Sequence, residues 1–205
     1  MMSNRFFHSG LHPSVWFMKV RMRFERGTRR LFVCFMLLTI AQGLAQAQYQ
    51  LAHTFTNPVP VDYDHFGYSV AGVGNNILVG APYNNMRTGA AYLFDGETGA
   101  LLHTFTSPTP AADEYFGNSV AAVGKNVLVG APHDDTGARN AGAAYLFDGE
   151  TGALFHTFTS PTPTDGDHFG YSVAGVGNNV LVGARFEETG EGRAGAAYLF
   201  DGATG

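Results

Sequence analysis

One phrase of seventeen residues is written three times in this chain of 205: "FGYSVAGVGNNILVGAP" from Phe66 to Pro82, "FGNSVAAVGKNVLVGAP" from Phe116 and "FGYSVAGVGNNVLVGAR" from Phe169. The copies start 50 and then 53 residues apart. A period of that length restricts the chain to stacked supersecondary units, each burying its apolar face on the next. Four short apolar segments recur in every copy. In the first they are "YSVAGV" (68–73), "NILVGA" (76–81), "AAYLFD" (90–95) and "LLHTFT" (101–106). All are rich in Val, Ile, Leu, Tyr, Phe and Thr and bounded by Gly, Asn, Asp or Pro, which predicts strands. No window carries a useful helical stripe.

The turns agree with the strands. "GNN", "GKN" and "GNN" (74–76, 124–126, 177–179) leave room only for a tight hairpin, with Gly and Asn supplying positive φ angles. "DGETG" at 95–99 and 148–152 forms the second regular turn. Four antiparallel strands per unit of about 50 residues predict an all-β chain of β-propeller blades. There are about three: near 66–115, 116–168 and 169–205, with 51–56 as an outer strand.

Phe-Gly followed fourteen residues later by Gly-Ala-Pro (Phe66 to Gly80, Phe116 to Gly130) resembles the FG-GAP repeat of integrin α-subunit propellers and of many secreted bacterial proteins. The third copy departs, with Arg185 in the place of the proline. The resemblance covers roughly residues 51–205 and implies a propeller, usually of seven blades, that binds partners outside the cell. The family often carries calcium in the hairpin between its first two strands, as a D-x-D-x-D-G loop. Here the hairpins read "GVGNN" and "AVGKN". Calcium takes about six to eight oxygen ligands, several of them carboxylates. These hairpins hold none, and Lys125 repels the ion, so no cofactor or metal is carried over.

The first 47 residues differ from the rest. Arg21, Arg23, Arg26, Arg29 and Arg30 precede the apolar run "LFVCFMLLTIA" (31–41), and Ala45-Gln46-Ala47 follows as a small-x-small site. These are the parts of a secretory signal peptide cleaved after Ala47. The run is about half of the roughly 20 residues a bilayer requires, so no membrane association is expected after cleavage. Met18 and Met22 are alternative starts, because residues 1–17 match no usual basic region. Seven of the twelve Lys and Arg lie before Gln48, whereas only Glu25 of the seventeen acids does, so the remainder is strongly acidic. That balance argues against nucleic acid. Cys34, the lone cysteine, falls in the leader, leaving residues 48–205 without thiol or disulfide.

Several motifs suggest chemistry and fall short of it. "GYSVA" (67–71) lacks the last glycine of the G-x-S-x-G elbow and the helix that follows it. Ser69, Ser119 and Ser172 instead read as one fixed place in each blade. "GVG" (72–74) misses the third glycine of a dinucleotide loop. His53, His103 and His156 share one strand slot in separate blades, which predicts a half-buried ring rather than a metal ligand. The same segment is similar to quinoprotein propellers but has histidine where these place a tryptophan. Acidic clusters at Asp62/Asp64, Asp113/Glu114, Asp134/Asp135, Asp165/Asp167 and Glu187/Glu188/Glu191 read as solvated surface, with a cation site as the alternative.

Function is expected where the copies differ. The connections between second and third strands differ: "YNNMRTG" (83–89), "HDDTGARNAG" (133–142) and "FEETGEGRAG" (186–195). So do the links between blades: "NPVPVDYDH" (57–65), "SPTPAADEY" (107–115) and "SPTPTDGDH" (160–168). Both sets leave an antiparallel blade from the same end, so one face varies and the other is uniform. The candidate ligand-binding residues on it are Tyr83, Arg87, His133, Asp135, Arg139, Phe186, Glu188 and Arg193, the types that anchor interfaces. The chain opens on a fourth-strand segment and stops after a third strand, so either two copies make six blades or further blades belong to a longer array. The reading is a secreted or cell-surface adhesion module binding a protein or glycan, without catalysis. The rivals are a propeller hydrolase or quinoprotein, and a truncated fragment.

Overall fold

The computed structural model describes residues 50–190 and 192–204, and Ala52–Gly205 forms one compact unit. The expected leader, cleavage site and Cys34 lie outside the described residues. Among the described residues eleven strands follow in chain order. β1 (Ser69–Val73), β2 (Asn76–Ala81), β3 (Ala90–Asp95) and β4 (Leu101–Phe105) make one antiparallel sheet in sequence order. β5 (Ser119–Val123), β6 (Asn126–Ala131), β7 (Ala143–Phe147) and β8 (Leu154–Phe158) repeat it. β9 (Phe169–Val176), β10 (Asn179–Ala184) and β11 (Ala196–Phe200) form a three-stranded third. These are propeller blades, and they do not close into a ring. The segment 51–56, expected as an outer strand, forms no strand and pairs with no sheet, although His53 and Phe55 contact the first blade. A single turn of helix, α1 (Asn84–Arg87), sits in the first β2–β3 connection, with non-helical angles at Asn85 and Met86.

The middle strands read as unbroken apolar runs because both faces of the second sheet are covered. β7 is buried along its whole length. One face packs Val127, Val129, Tyr145 and Phe147 on Val73, Leu78, Ala91 and Leu93 of the first sheet. The other packs Val123, Leu128, Ala144 and Leu146 on Val180 and Val182 of the third. In each β1–β2-type hairpin the first loop glycine alone has positive φ (Gly74 59°, Gly124 61°, Gly177 62°). The asparagines therefore do not share that task, as type II′ geometry requires only the first loop position. In the β3–β4 turn the Asp95 carboxylate accepts from the Glu97 and Thr98 amides, and Asp148 and Asp201 repeat this.

The thrice-written phrase builds the joints between sheets. The Ser69 hydroxyl donates to the Gly117 carbonyl at 2.8 Å, and Ser119 donates to Gly170 at the same distance. The Phe116 amide donates to Thr88 O at 3.0 Å and the Phe169 amide to Ala141 O at 2.7 Å, each as a parallel bridge to the preceding blade. A Cβ on Gly80 would sit 2.1 Å from Gly117 O, and one on Gly130 would sit 2.0 Å from Gly170 O. Hence both motifs need glycine: one crosses the other. Phe105 and Phe116 pack around Tyr145 and Phe147 with centroids 4.9–6.1 Å apart, and Phe158 and Phe169 repeat this on Tyr198 and Phe200. Such ring pairs contribute about 0.5–1.5 kcal/mol each beyond burial. His103 Nε2 lies 3.0 Å from Glu150 O in the next blade's turn, and His53 Nε2 lies 2.8 Å from Glu97 O. His103 therefore latches the first blade to the second, and His53 ties the segment before β1 to the first blade's turn.

Gly130→Ala forces backbone apart at a joint and should cost about 1–3 kcal/mol of unfolding free energy, as overpacking does. Ser119→Ala, which removes one hydrogen bond, should cost about 1 kcal/mol. Urea unfolding followed by circular dichroism measures both. A Gly130→Ala protein as stable as the parent would refute this account of the motif.

Candidate functional site

The β2–β3 connections and the links between blades leave from the same end of the three sheets, and their rings meet there. His65, Tyr115 and His168 each stand immediately before a Phe-Gly pair. Tyr83, His133 and Phe186 each stand two residues after the Gly-Ala of the second motif. The six alternate in one continuous series across all three blades. Centroid distances run 4.2 Å (His65–Tyr83), 5.2 Å (Tyr83–Tyr115), 4.8 Å (Tyr115–His133), 4.4 Å (His133–His168) and 5.1 Å (His168–Phe186). His65, Tyr115 and His168 hold left-handed backbone (φ 53°, 58° and 56°), where a turn bond returns from Tyr68, Asn118 and Tyr171 respectively. That conformation costs of order 1–3 kcal/mol at a residue with a side chain. It aims each ring at the neighbouring loop.

Cations border the arc. The Arg185 guanidinium lies 3.9 Å from the Tyr171 centroid and 4.3 Å from that of Phe186. Arg193 lies 5.9 Å from Phe186. Arg87 binds Asp113 at 2.7 Å and donates to the Tyr115 hydroxyl at 3.3 Å. Both members of that ion pair are half-exposed, so it adds little stability. Beside the middle of the arc a cavity of about 200 Å³ is lined by Asp113, Glu114, His133, Asp135, Arg139 and Asn140, with Ala111 and Ala112.

The sequence-predicted residues therefore fall into groups. Tyr83, His133 and Phe186 enter the arc. His133, Asp135 and Arg139 share the cavity wall. Arg87 and Arg193 flank the arc, and Glu188 is exposed and joins neither. His65, Tyr115, His168 and Arg185 escaped selection, although the first three lay in loops marked as variable. Their signal was the aromatic or imidazole ring fixed one place before each Phe-Gly.

The acidic pairs are not all solvated surface. Glu114, Asp134, Asp167 and Glu187 are at most 4% exposed. Neutral donors reach at least one oxygen of each, while Glu114 Oε2 and Glu187 Oε2 are buried without a hydrogen-bond partner among the described residues. The Ala111 amide donates to Glu114 Oε1 at 2.7 Å, and the Tyr145 hydroxyl donates to Asp134. In the third blade Ser160 Oγ donates to Glu187 Oε1 at 2.6 Å, and both the amide and hydroxyl of Thr164 donate to Asp167 at 2.6 Å. In the first blade the Asn57 side-chain amide donates to Asp64, and separately that of Asn84 donates to the Tyr92 hydroxyl. Burial, with the Asp134 charge, raises the Glu114 carboxyl above the usual range. Links and loops are tied by Ser160 to Glu187 and by backbone bonds from the His133 amide to Glu114 O and from the Phe186 amide to Asp167 O. Among the described residues no three His, Cys, Asp or Glu converge as a metal cage, and no helix is long and apolar enough to cross a membrane.

His168 is held neutral. Burial first, then His133, Arg185 and Arg193, depress it to about 4 from an ordinary 6.5. Burial and Arg185 likewise depress His133. The unfolded chain takes up these protons near pH 6.5 and the folded chain does not. Stability is complete above that pH and falls as the pH drops toward 4. His168→Phe keeps a ring against Phe186 and should flatten this part of the stability–pH curve, measured by urea unfolding at steps from pH 7 to 4. An unchanged slope would contradict the assignment.

A sequence-family profile described as the FG-GAP repeat matches residues 54–94, 103–147 and 157–200, together more than half of the chain. Among curated proteins none matches this chain. The three matches, one for each copy of the repeated phrase, identify the chain as a member of the FG-GAP repeat family.

Proposed function

We propose that this chain is an exported, non-catalytic binding module that presents its ligand at the loop face of the propeller blades. The observation that carries the reading is the continuous arc of six rings across that face, bordered by arginines and opening beside the cavity at His133 and Arg139. Rings and guanidinium groups lose little side-chain entropy on contact and present both apolar and hydrogen-bonding surface, which suits an extracellular protein or glycan. The buried carboxylate clusters favour the same reading, since they hold the loops in place before a partner arrives. The leader, with cleavage after Ala47, would deliver residues 48–205 outside the cell or to its surface. The acidic balance of that portion disfavours nucleic acid.

An enzyme would need unique acid–base or nucleophilic groups converging at one place. The repeated serine donates to a neighbouring blade instead, and the repeated histidine latches a turn. No cofactor is invoked. The face is tested by probing residues 48–205 against an immobilised glycan panel and against extracellular matrix proteins. A bound probe should lose at least tenfold in affinity with His133→Ala/Arg139→Ala and keep it with Lys125→Ala, which sits at the other end of the blade. Equal losses from both changes, or no binding by the parent, would overturn the reading.

A further inference from the structure

The two outer faces of the sheet stack are the two halves of a joint that the chain already makes twice. On the third sheet, Val176 and Leu199 are 48% and 58% exposed. Their counterparts Val123 and Leu146 are buried against the next blade. On the first sheet, Val70 is 66% exposed, whereas its counterpart Val120 is buried against the preceding blade. The polar parts of the joint are also divided between the two ends. Ser172, counterpart of the donors Ser69 and Ser119, is exposed, as is Gly67, counterpart of the acceptors Gly117 and Gly170. The three atoms nearest a Cβ on Gly183 all belong to Ser172, whereas Gly80 and Gly130 are crossed by the next blade's carbonyl.

Strand pairing divides in the same way. β4 and β8 carry "LLHTF" and "LFHTF" and complete their sheets by pairing with β3 and β7. Residues 51–55 carry "LAHTF" without a ladder, and β11 has no fourth strand beside it in its sheet. Within one chain the two lie on opposite ends of the stack: Phe55 packs on Phe94 of the first sheet, 5.2 Å between centroids, and β11 belongs to the third.

We propose that a second copy of this chain docks head to tail, its segment 52–55 adding to β11 as the missing strand and its first sheet covering the third. The β3–β4 register, Ala91↔Phe105, Tyr92↔Thr104 and Leu93↔His103, fixes the pairs. They are Ala197 with Phe55, Tyr198 with Thr54, and Leu199 with His53 of the second copy. Ser172 donates to Gly67 of that copy, and Val176 and Leu199 are covered by its Val70 face. A second copy fits because its first-sheet face and this chain's third-sheet face match the two halves of the internal joints position by position. Such a contact is heterologous, so it must close or grow. Two copies bring together six blades, within the four to eight that propellers close with.

Light scattering on residues 48–205, which contain the compact unit, reads this directly. The parent should run at twice the monomer mass, and Leu199→Asp and Val70→Asp, both at exposed positions, should each give a monomer with unchanged circular dichroism. His53→Cys/Leu199→Cys, in a portion that contains no other cysteine, should form an intermolecular disulfide that doubles the mass on a non-reducing gel, with neither single variant doing so specifically. A folded parent of monomer mass, open-ended growth, or a dimer that survives Leu199→Asp and yields no disulfide in the double variant would each overturn the proposal.

Discussion

The structure depends on a crossing of backbones between adjacent sheets, where the Phe-Gly of one blade passes over the Gly-Ala of the blade before it. At that crossing there is no room for a Cβ, a serine hydroxyl reaches the carbonyl beneath, and an amide completes a parallel bridge. The phenylalanine beside it joins three other rings in the sheet-to-sheet core. Everything that recurs in the sequence is a part of this contact or of the hairpins that deliver strands to it. The phrase is written three times because each blade is both the upper and the lower half of a joint.

That constraint leaves the opposite tasks to the loops. The joint sets where each link between blades ends: the residue before every Phe-Gly holds left-handed backbone, and the rings of Tyr115 and His168 meet Tyr83 and His133 in the loop of the preceding blade. A ring at that place and a ring two residues past the second motif give a series that runs from blade to blade. Below it, buried carboxylates accept from hydroxyls and amides, and backbone bonds from the His133 and Phe186 amides hold those loops to the links beside them. The variable face is therefore a set of ordered loops on a rigid stack, the arrangement a binding surface requires.

The strands, hairpins and period were legible in the residues because local rules write them: apolar runs, turn glycines and Asx turns. The segment 51–56 shows where those rules stop. It has the composition of β4 and β8, but a ladder needs a neighbour, and composition does not supply one. The arc was only half legible. Tyr83, His133 and Phe186 stood out as interface types, but their stacking partners belong to the next copy along, and the ring alternates among His, Tyr and Phe. Aligned one above another, these positions look like drift. The carboxylates were misread for a related reason. Glu114 with Asp134 and Asp167 with Glu187 exchange long and short side chains, so that the pair conserves its reach while each position varies. Burial of a charge depends on donors far along the chain, such as Tyr145 and Ser160, and no local pattern announces them.

The joint itself is most directly tested by native-state amide hydrogen exchange at Phe116 and Phe169. If the crossing holds the blades together, these two amides exchange only when the whole stack unfolds, as slowly as Leu78 and Leu128 at the centres of β2 and β6. Exchange at the rate of the exposed turn amides, such as Thr98 and Thr151, would mean that the blades separate while their sheets stay folded, and the account would fail.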